Sequence, residues 1–386
     1  MTTLTETTYL GMPLEFWFTG PLGIPFHIWS FTMAVTGLIV GSFLNVVIHR
    51  MPLGMSVVTP GSHCPKCEYK IPLRLNLPII SWLWLRGKCA NCSVSISPRY
   101  LAVEAFTGAL FLLTWLKFGP TSPGMAWALC LLFAGFIAAT FIDVEHLIIP
   151  DEITLGGIVV GFLLSVAVPD LQGVASIPES IKASGLGVAV GGGVVYAVLR
   201  LGKLLFGRER VPVSPETPVI FHEAGLVLPT GEIPYEEVFY RESDAVTAKA
   251  RRVELFDRCF SNVPVRLELM RKVPVLRIGE ETFEAADQPW MSVETEELVL
   301  PREAMGFGDV KFMAAIGAFL GWQATVFSLF ASAVIGSVVA IALIAIGRQK
   351  WTGRLGYGPY IAVAAMIWVF GGHHFMDQWL SGSVGN

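Results

Sequence analysis

The chain has 386 residues, of which 53% are hydrophobic and only 15% charged, with a formal net charge of −4 and a mean hydropathy of +0.59. Those values exclude a wholly soluble globular protein and imply a chain that crosses a bilayer several times. Lipid is therefore an expected partner, and nucleic acid is not.

The first apolar run of near-spanning length covers about 26–48. It lies too deep in the chain, and lacks the basic n-region, to be a cleaved signal peptide. Further runs follow at about 101–118, 125–142, 152–168, 183–206, 324–346 and 356–372, each near the roughly 20 residues a span requires. Basic residues set the orientation. Residues 1–49 contain none, seven fall between Arg50 and Arg99, and later clusters sit at Arg200–Arg210 and Arg348–Arg354. The segment from Asp309 to Gly347 has basic residues at both ends. As helix it reaches about 58 Å at about 1.5 Å per residue, enough for two short passes turning at Gly321-Trp322-Gln323. Eight spans are expected, with a single kinked helix as the rival.

Five domains follow: 1–49, an N-terminal segment and the first span; 50–100, a cytoplasmic loop; 101–206, spans; 207–303, a soluble cytoplasmic insert; and 304–386, the final spans. The insert holds 19 of the 31 acidic residues. Runs such as Pro218–Phe221, Val265–Leu267, Val273–Leu276 and Val293–Leu300 read as strands, with a turn at Pro229-Thr230-Gly231. The fold class is thus an α-helical polytopic membrane protein with a small β-rich insert. The insert is read as a solvated spacer or a docking module.

Two motifs carry chemistry. The loop 50–100 contains Cys64-Pro65-Lys66-Cys67 and Cys89-Ala90-Asn91-Cys92, with 21 residues between the pairs. Two C-x2-C knuckles match a closed tetrahedral zinc site, structural because no coordination position is left open. Cys130 and Cys259 have no paired neighbour and are read as packing residues. The second motif is a pair of carboxylates, Asp143 in Phe141–Asp151 and Asp309 in Gly306–Lys311. Acids at the ends of apolar spans are costly and mark function; two brought together share a proton, as in an aspartic protease. Asp151 reads as a helix cap or first-turn acid, Glu145, His146 and Glu152 as interfacial groups, and Lys311 as a snorkelling cation. Gly306 and Gly308 read as the means of a sharp turn and a close substrate approach. Asn45 and Glu104 are expected to form a structural network, and Gly191-Gly192-Gly193 to allow close helix packing.

Taken together, Gly41–Val46, the two Cys pairs, Ser97-Pro98-Arg99-Tyr100 with Glu104, the D-x6-P-D segment 143–151 and Gly306–Lys311 resemble the type IV prepilin peptidase family. These are the GxGD-type leader peptidases and N-methyltransferases of pilus and type II secretion systems. The resemblance runs over about 34–206 and 301–372; the insert departs from the usual compact form. It implies that Asp143 and Asp309 are the catalytic pair, and that the substrate is a prepilin or pseudopilin with a basic leader cut at the cytoplasmic face of the bacterial inner membrane. It also implies S-adenosylmethionine as methyl donor, with the loop 50–100, through its knuckles and Arg86-Gly87-Lys88, contributing to transfer. Two alternatives stay open: a non-catalytic zinc-binding scaffold of a secretion or pilus machine, with the insert docking a partner, and a related protease with a non-pilin substrate.

Overall fold

The structure, a computed structural model, describes residues 8–9, 12–13, 20–214, 217–222, 225–228, 231–239, 244–270, 273–284, 290–301, 306–348 and 355–374. Lys350, Arg354 and the Pro229-Thr230 turn lie outside the described residues. The chain forms two compact units, residues 1–196 with 307–386, and residues 197–306.

The helical unit is built from α1 (Phe26–Arg50), α2 (Pro98–Phe118), α3 (Pro123–His146), α4 (Asp151–Ala167), the first part of α5 (Ile177–Phe206), α6 (Phe307–Ala345) and α7 (Gly358–Ile367). Starts are encoded locally. Ser97 accepts from the Arg99 amide and Ser122 from the Met125 amide, each with a proline in the first turn where the missing N–H is harmless. Among the described residues, five helices are long and apolar enough to span a bilayer: α1 (with its short 3-10 extension to Leu53), α2, α3, α5 and α6. Helix α4 is 17 residues long, and α7 with the π turn after it is a shorter apolar helix. The 39 residues of α6 leave helical geometry at Gly321 (φ 78°, ψ 177°), where only glycine is unstrained. Close by, the Ala318 carbonyl accepts from Ser165 Oγ, Gln172 Nε2 and Ser184 Oγ, all at 2.8 Å. Such side-chain donors satisfy backbone acceptors that water cannot reach.

Small residues bring the helix pairs together. A Cβ on Gly37 of α1 would stand 2.8 Å from the Gly108 Cα, the Thr107 carbonyl and the Phe111 Cβ of α2. Gly187 of α5 and Gly317 of α6 meet backbone to backbone. The glycine run behaves as expected only in part. Gly191 packs on the Met313 carbonyl, Gly192 makes an ordinary contact with Ala314 at 3.6 Å, and Gly193 has no neighbour within 4 Å.

The second unit is an antiparallel nine-stranded sheet: β1 (Arg208–Pro212), β2 (Val219–His222), β3 (Gly225–Leu228), β4 (Gly231–Pro234), β5 (Ala245–Glu254), β6 (Cys259–Met270), β7 (Val273–Ile278), β8 (Glu281–Glu284) and β9 (Trp290–Pro301). Strand order is β8-β7-β6-β5-β9-β2-β3-β4, with β1 pairing along β9. All four runs read as strands from sequence fall on its strands, apart from Pro218, which precedes β2. Inward residues alternate along β5 as Val246, Ala248 and Ala250, then Arg251 and Arg252 are both exposed before Val253. A register shift against Glu294–Thr295 accounts for the extra residue. Val219, Phe221, Leu226, Leu267, Met291 and Leu298 form part of the core. The last turns of α5 belong here too: Lys203 Nζ reaches the buried Asp244 carboxylate at 2.7 Å.

Candidate active site and tetrathiolate loop

The four loop cysteines converge. Their sulfur atoms all lie within 4.8 Å of one another, with Cys64–Cys92 at 3.8 Å and Cys67–Cys89 at 3.9 Å. Zinc–sulfur bonds of about 2.3 Å in a tetrahedron place sulfurs about 3.8 Å apart, so this donor set fits that metal. The two knuckles repeat one backbone design. In the first, the Cys64 amide donates to the Tyr69 carbonyl and the Glu68 amide to the Cys64 carbonyl. In the second, the Cys89 amide donates to Val94 and the Ser93 amide to Cys89. Glu68 and Ser93 take the same left-handed conformation (φ 55° and 57°), and the bridges His63–Lys70 and Lys88–Ser95 close each turn. The Tyr69 amide and the Asn91 side chain hold the Cys67 thiol down at about 6, whereas burial and the neighbouring thiols push that of Cys92 up to about 11.

The remaining cysteines divide. Cys130 is buried, its sulfur 3.9 Å from the Phe111 carbonyl. Cys259 is exposed at the start of β6, so it is not the packing residue expected; strand alternation turns it outward.

The expected polar network ties the loop to the helices. Glu104 of α2 accepts the Ile79 amide at 2.7 Å, and Asn45 of α1 donates to the Tyr100 carbonyl at 3.1 Å. Sequence reading missed Arg50, which is buried and donates to the carbonyls of Pro60 at 2.7 Å, Ser56 at 3.2 Å and Gly61 at 3.4 Å. A cation at a helix end with three carbonyls nearby is a geometric fact that no local pattern announces. Arg99 pairs with Glu145, joining the start of α2 to the end of α3.

Asp143 stands in the last turn of α3 and Asp309 in the first turn of α6, with relative exposures of 5% and 6%. Helix α3 ends at Leu147 in the left-handed conformation, whose amide closes on the Asp143 carbonyl at 2.9 Å. The chain then returns through Ile149-Pro150 into α4. Ile149 connects the two carboxylate regions. A Cβ on Gly308 would meet it at 3.4 Å, and one on Gly358 would meet it at 3.1 Å. Gly308 is thus helical, in ordinary contact with Ile149; it does not make the sharp turn expected of it. The Gly358 amide donates to Asp143 Oδ2 at 2.8 Å. Tyr357 lies within electrostatic range of Asp309, and Tyr360 within range of Asp143. This Gly356–Tyr360 segment was not singled out from sequence, because its contribution is backbone.

Asp151 is a first-turn acid of α4 but caps nothing, since Pro150 occupies the cap position. Its carboxylate instead pairs with Lys311 Nζ at 2.5 Å. Lys311 therefore reaches from α6 to the first turn of α4.

Several long apolar helices, with buried acids at two helix ends and a tetrathiolate loop, define a polytopic membrane protein. The comparisons narrow that class. Residues 35–118 match the model of the bacterial peptidase A24 N-terminal domain, and residues 130–210 and 290–341 match that of the type IV leader peptidase family. A prepilin leader peptidase/N-methyltransferase of Aeromonas hydrophila is 25% identical over 373 residues, covering 90% of this chain and 92% of the relative. One from Dichelobacter nodosus is 34% identical over 218 residues, covering 49% and 70%. A type 4 prepilin-like proteins leader peptide-processing enzyme of Escherichia coli is 36% identical over 193 residues, covering 45% and 68%. No solved structure matches. The chain belongs to the type IV leader peptidase family and is a peptidase.

Proposed function

We propose that Asp143 and Asp309 are the catalytic carboxylates of an aspartic endopeptidase that removes the basic leader of type IV prepilins or pseudopilins. The observation that carries this reading is two buried carboxylates at the ends of two helices of one apolar unit, approached by the same Gly356–Tyr360 segment. In the reaction, one carboxylate takes a proton from water as its oxygen attacks the scissile carbonyl. The other, protonated, donates to the carbonyl oxygen. Collapse of the tetrahedral intermediate then breaks the C–N bond, with a proton passed to the departing amine. The proton belongs to the pair, not to one member.

We read the helical unit as eight passes, with α4 and α7 short and α6 dividing at Gly321. The basic loop Arg50–Arg99 then faces the cytoplasm of a bacterial inner membrane, as do both acids and the insert. Glu145 and Glu152 are exposed near the site and suit a basic leader. The tetrathiolate is read as structural zinc, held by Cys64, Cys67, Cys89 and Cys92 and organising the loop. Transfer of a methyl group from S-adenosylmethionine to the new N-terminus rests on the relatives' names.

Co-expression with a prepilin and intact-mass analysis of the product tests the assignment. The wild type is expected to release the leader and add one methyl group, and Asp143→Asn and Asp309→Asn to leave the precursor intact. Cleavage by either folded variant rejects the dyad; cleavage without the mass of a methyl group removes the transferase alone.

A further inference from the structure

We infer that Gly356–Tyr360 is a positioning element of the peptidase site: the Gly358 amide and the bare Cα of Gly356 together fix the carboxylate of Asp143. The inference rests on reading Asp143 as a catalytic carboxylate.

Two independent contacts place this segment against Asp143. The Gly358 amide donates to Oδ2 at 2.8 Å. Gly356 leaves the room that oxygen occupies: a Cβ there would stand 2.5 Å from Oδ2 and 2.8 Å from the Asp143 carbonyl oxygen. A Cβ on Gly358 would stand 3.0 Å from the same Oδ2. A side chain at 356 therefore cannot coexist with this carboxylate position, and one at 358 coexists only after a small shift. With Oδ2 held by a fixed donor, proton transfer with water or substrate falls to Oδ1.

The segment is anchored at its other end. The Tyr357 hydroxyl and Ser332 Oγ of α6 lie 2.9 Å apart. Tyr357 and Tyr360 meet edge to face at 6.2 Å, and a Cβ on Gly336 of α6 would stand 3.2 Å from the Tyr360 ring. Through Tyr357 the same five residues approach Asp309. A helix start clamped to α6 and bonded to α3 sets the spacing of groups that come from both helices, which is how a rigid element preorganises two reacting side chains.

The test compares Gly356→Ala, Gly358→Ala, Asp143→Asn and a remote control, Gly193→Ala, in the full-length protein in detergent or lipid. Cleavage of a prepilin is followed to give kcat, KM and the pH–rate profile. A misplacement approaching 1 Å costs on the order of 10²-fold. Gly356→Ala is accordingly expected to lose about that factor in kcat, with KM within about threefold of wild type. Its acidic limb is expected to be displaced by about half a pH unit, because a donor to Asp143 has moved. Tyr360 lies within electrostatic range of that carboxylate and is unchanged in the variant. A merely structural lesion lowers the amount of active enzyme and leaves the limb in place. Gly358→Ala, which keeps its amide, is expected to show a smaller loss of the same kind, and Gly193→Ala none.

Asp143→Asn inactive with Gly356→Ala matching wild type in kcat and pH profile overturns the positioning role and leaves the dyad standing. Active Asp143→Asn removes the reading beneath it. If Gly356→Ala does not fold, Gly358→Ala decides: an unchanged kcat and profile overturn the inference.

Discussion

Gly37→Ala probes a close backbone crossing of the membrane unit without touching either aspartate. The added methyl would lie 2.8 Å from two backbone atoms of α2, the Gly108 Cα and the Thr107 carbonyl oxygen, and from the Phe111 Cβ. Ordinary carbon contacts are about 3.5 Å, so α1 and α2 must separate by about 0.7 Å. Overpacking of this kind costs about 1–3 kcal/mol, with the upper part of the range expected because backbone cannot rotate away. Alanine recovers at most about 1 kcal/mol of helix propensity. The net loss is then about 1–2 kcal/mol, a fall in Tm of roughly 2–8 °C. Gly193→Ala on α5, with nothing within 4 Å, receives the propensity gain without the clash and is the matched control. Intrinsic fluorescence is a suitable readout, since Trp115 of α2 stacks on Phe26 of α1 at 5.6 Å and lies 5.8 Å from Trp29. A Gly37→Ala protein that melts with wild type, or a control that loses as much, refutes the reasoning that backbone proximity sets this crossing.

Two further outcomes concern the loop. Cys67→Ser is expected to lower bound zinc from one per chain, by plasma mass spectrometry, and to expose the 64–92 segment to protease, because the remaining three sulfurs close no tetrahedron; full zinc occupancy in the variant contradicts the site. Glu104→Ala leaves the Ile79 amide without its acceptor, a penalty of about 1–3 kcal/mol. Hydrogen exchange at Ile79 should rise at least tenfold, and unchanged exchange would show that the carboxylate does not hold the loop.

What was legible in the sequence was what repeats or what is costly. Apolar runs located seven of the helical segments, and the basic residues flanking 309–347 pointed to Gly321 as the position at which α6 loses helical geometry. The two C-x2-C knuckles were legible because each is a self-contained turn, and the structure repeats the same hydrogen bonds around both. The β-rich insert was legible from its short alternating runs, although the alternation alone could not give the strand order, which depends on pairings as distant as β1 with β9. Asp151 and Lys311 were each read singly; 160 residues separate them, and a pair at that separation has no local signature.

The segment Gly356–Tyr360 went unread for a different reason. A side chain with chemistry to offer is visible in a sequence, and two of these residues contribute by having none. Gly358 acts through an amide that every residue but proline carries, and Gly356 through the absence of a methyl. The signal that was available is the spacing itself: Gly356-Tyr357-Gly358-Pro359-Tyr360 opens an apolar helix with a proline in its first turn, yet places a glycine on either side of a tyrosine where a simple cap requires neither. Glycines at a helix start that are not needed for φ are needed for approach, and the group they approach here is Asp143. Gly308 differs: a Cβ there would make only ordinary contacts with Ile149, at 3.4 Å and beyond. In a bilayer, where apolar helices gain little from hydrophobic contact with one another, close approach of backbone to backbone or backbone to carboxylate is what fixes one helix relative to the next. The glycines near Asp143 are accordingly part of the geometry that brings two acids, encoded far apart in the chain, into one apolar unit.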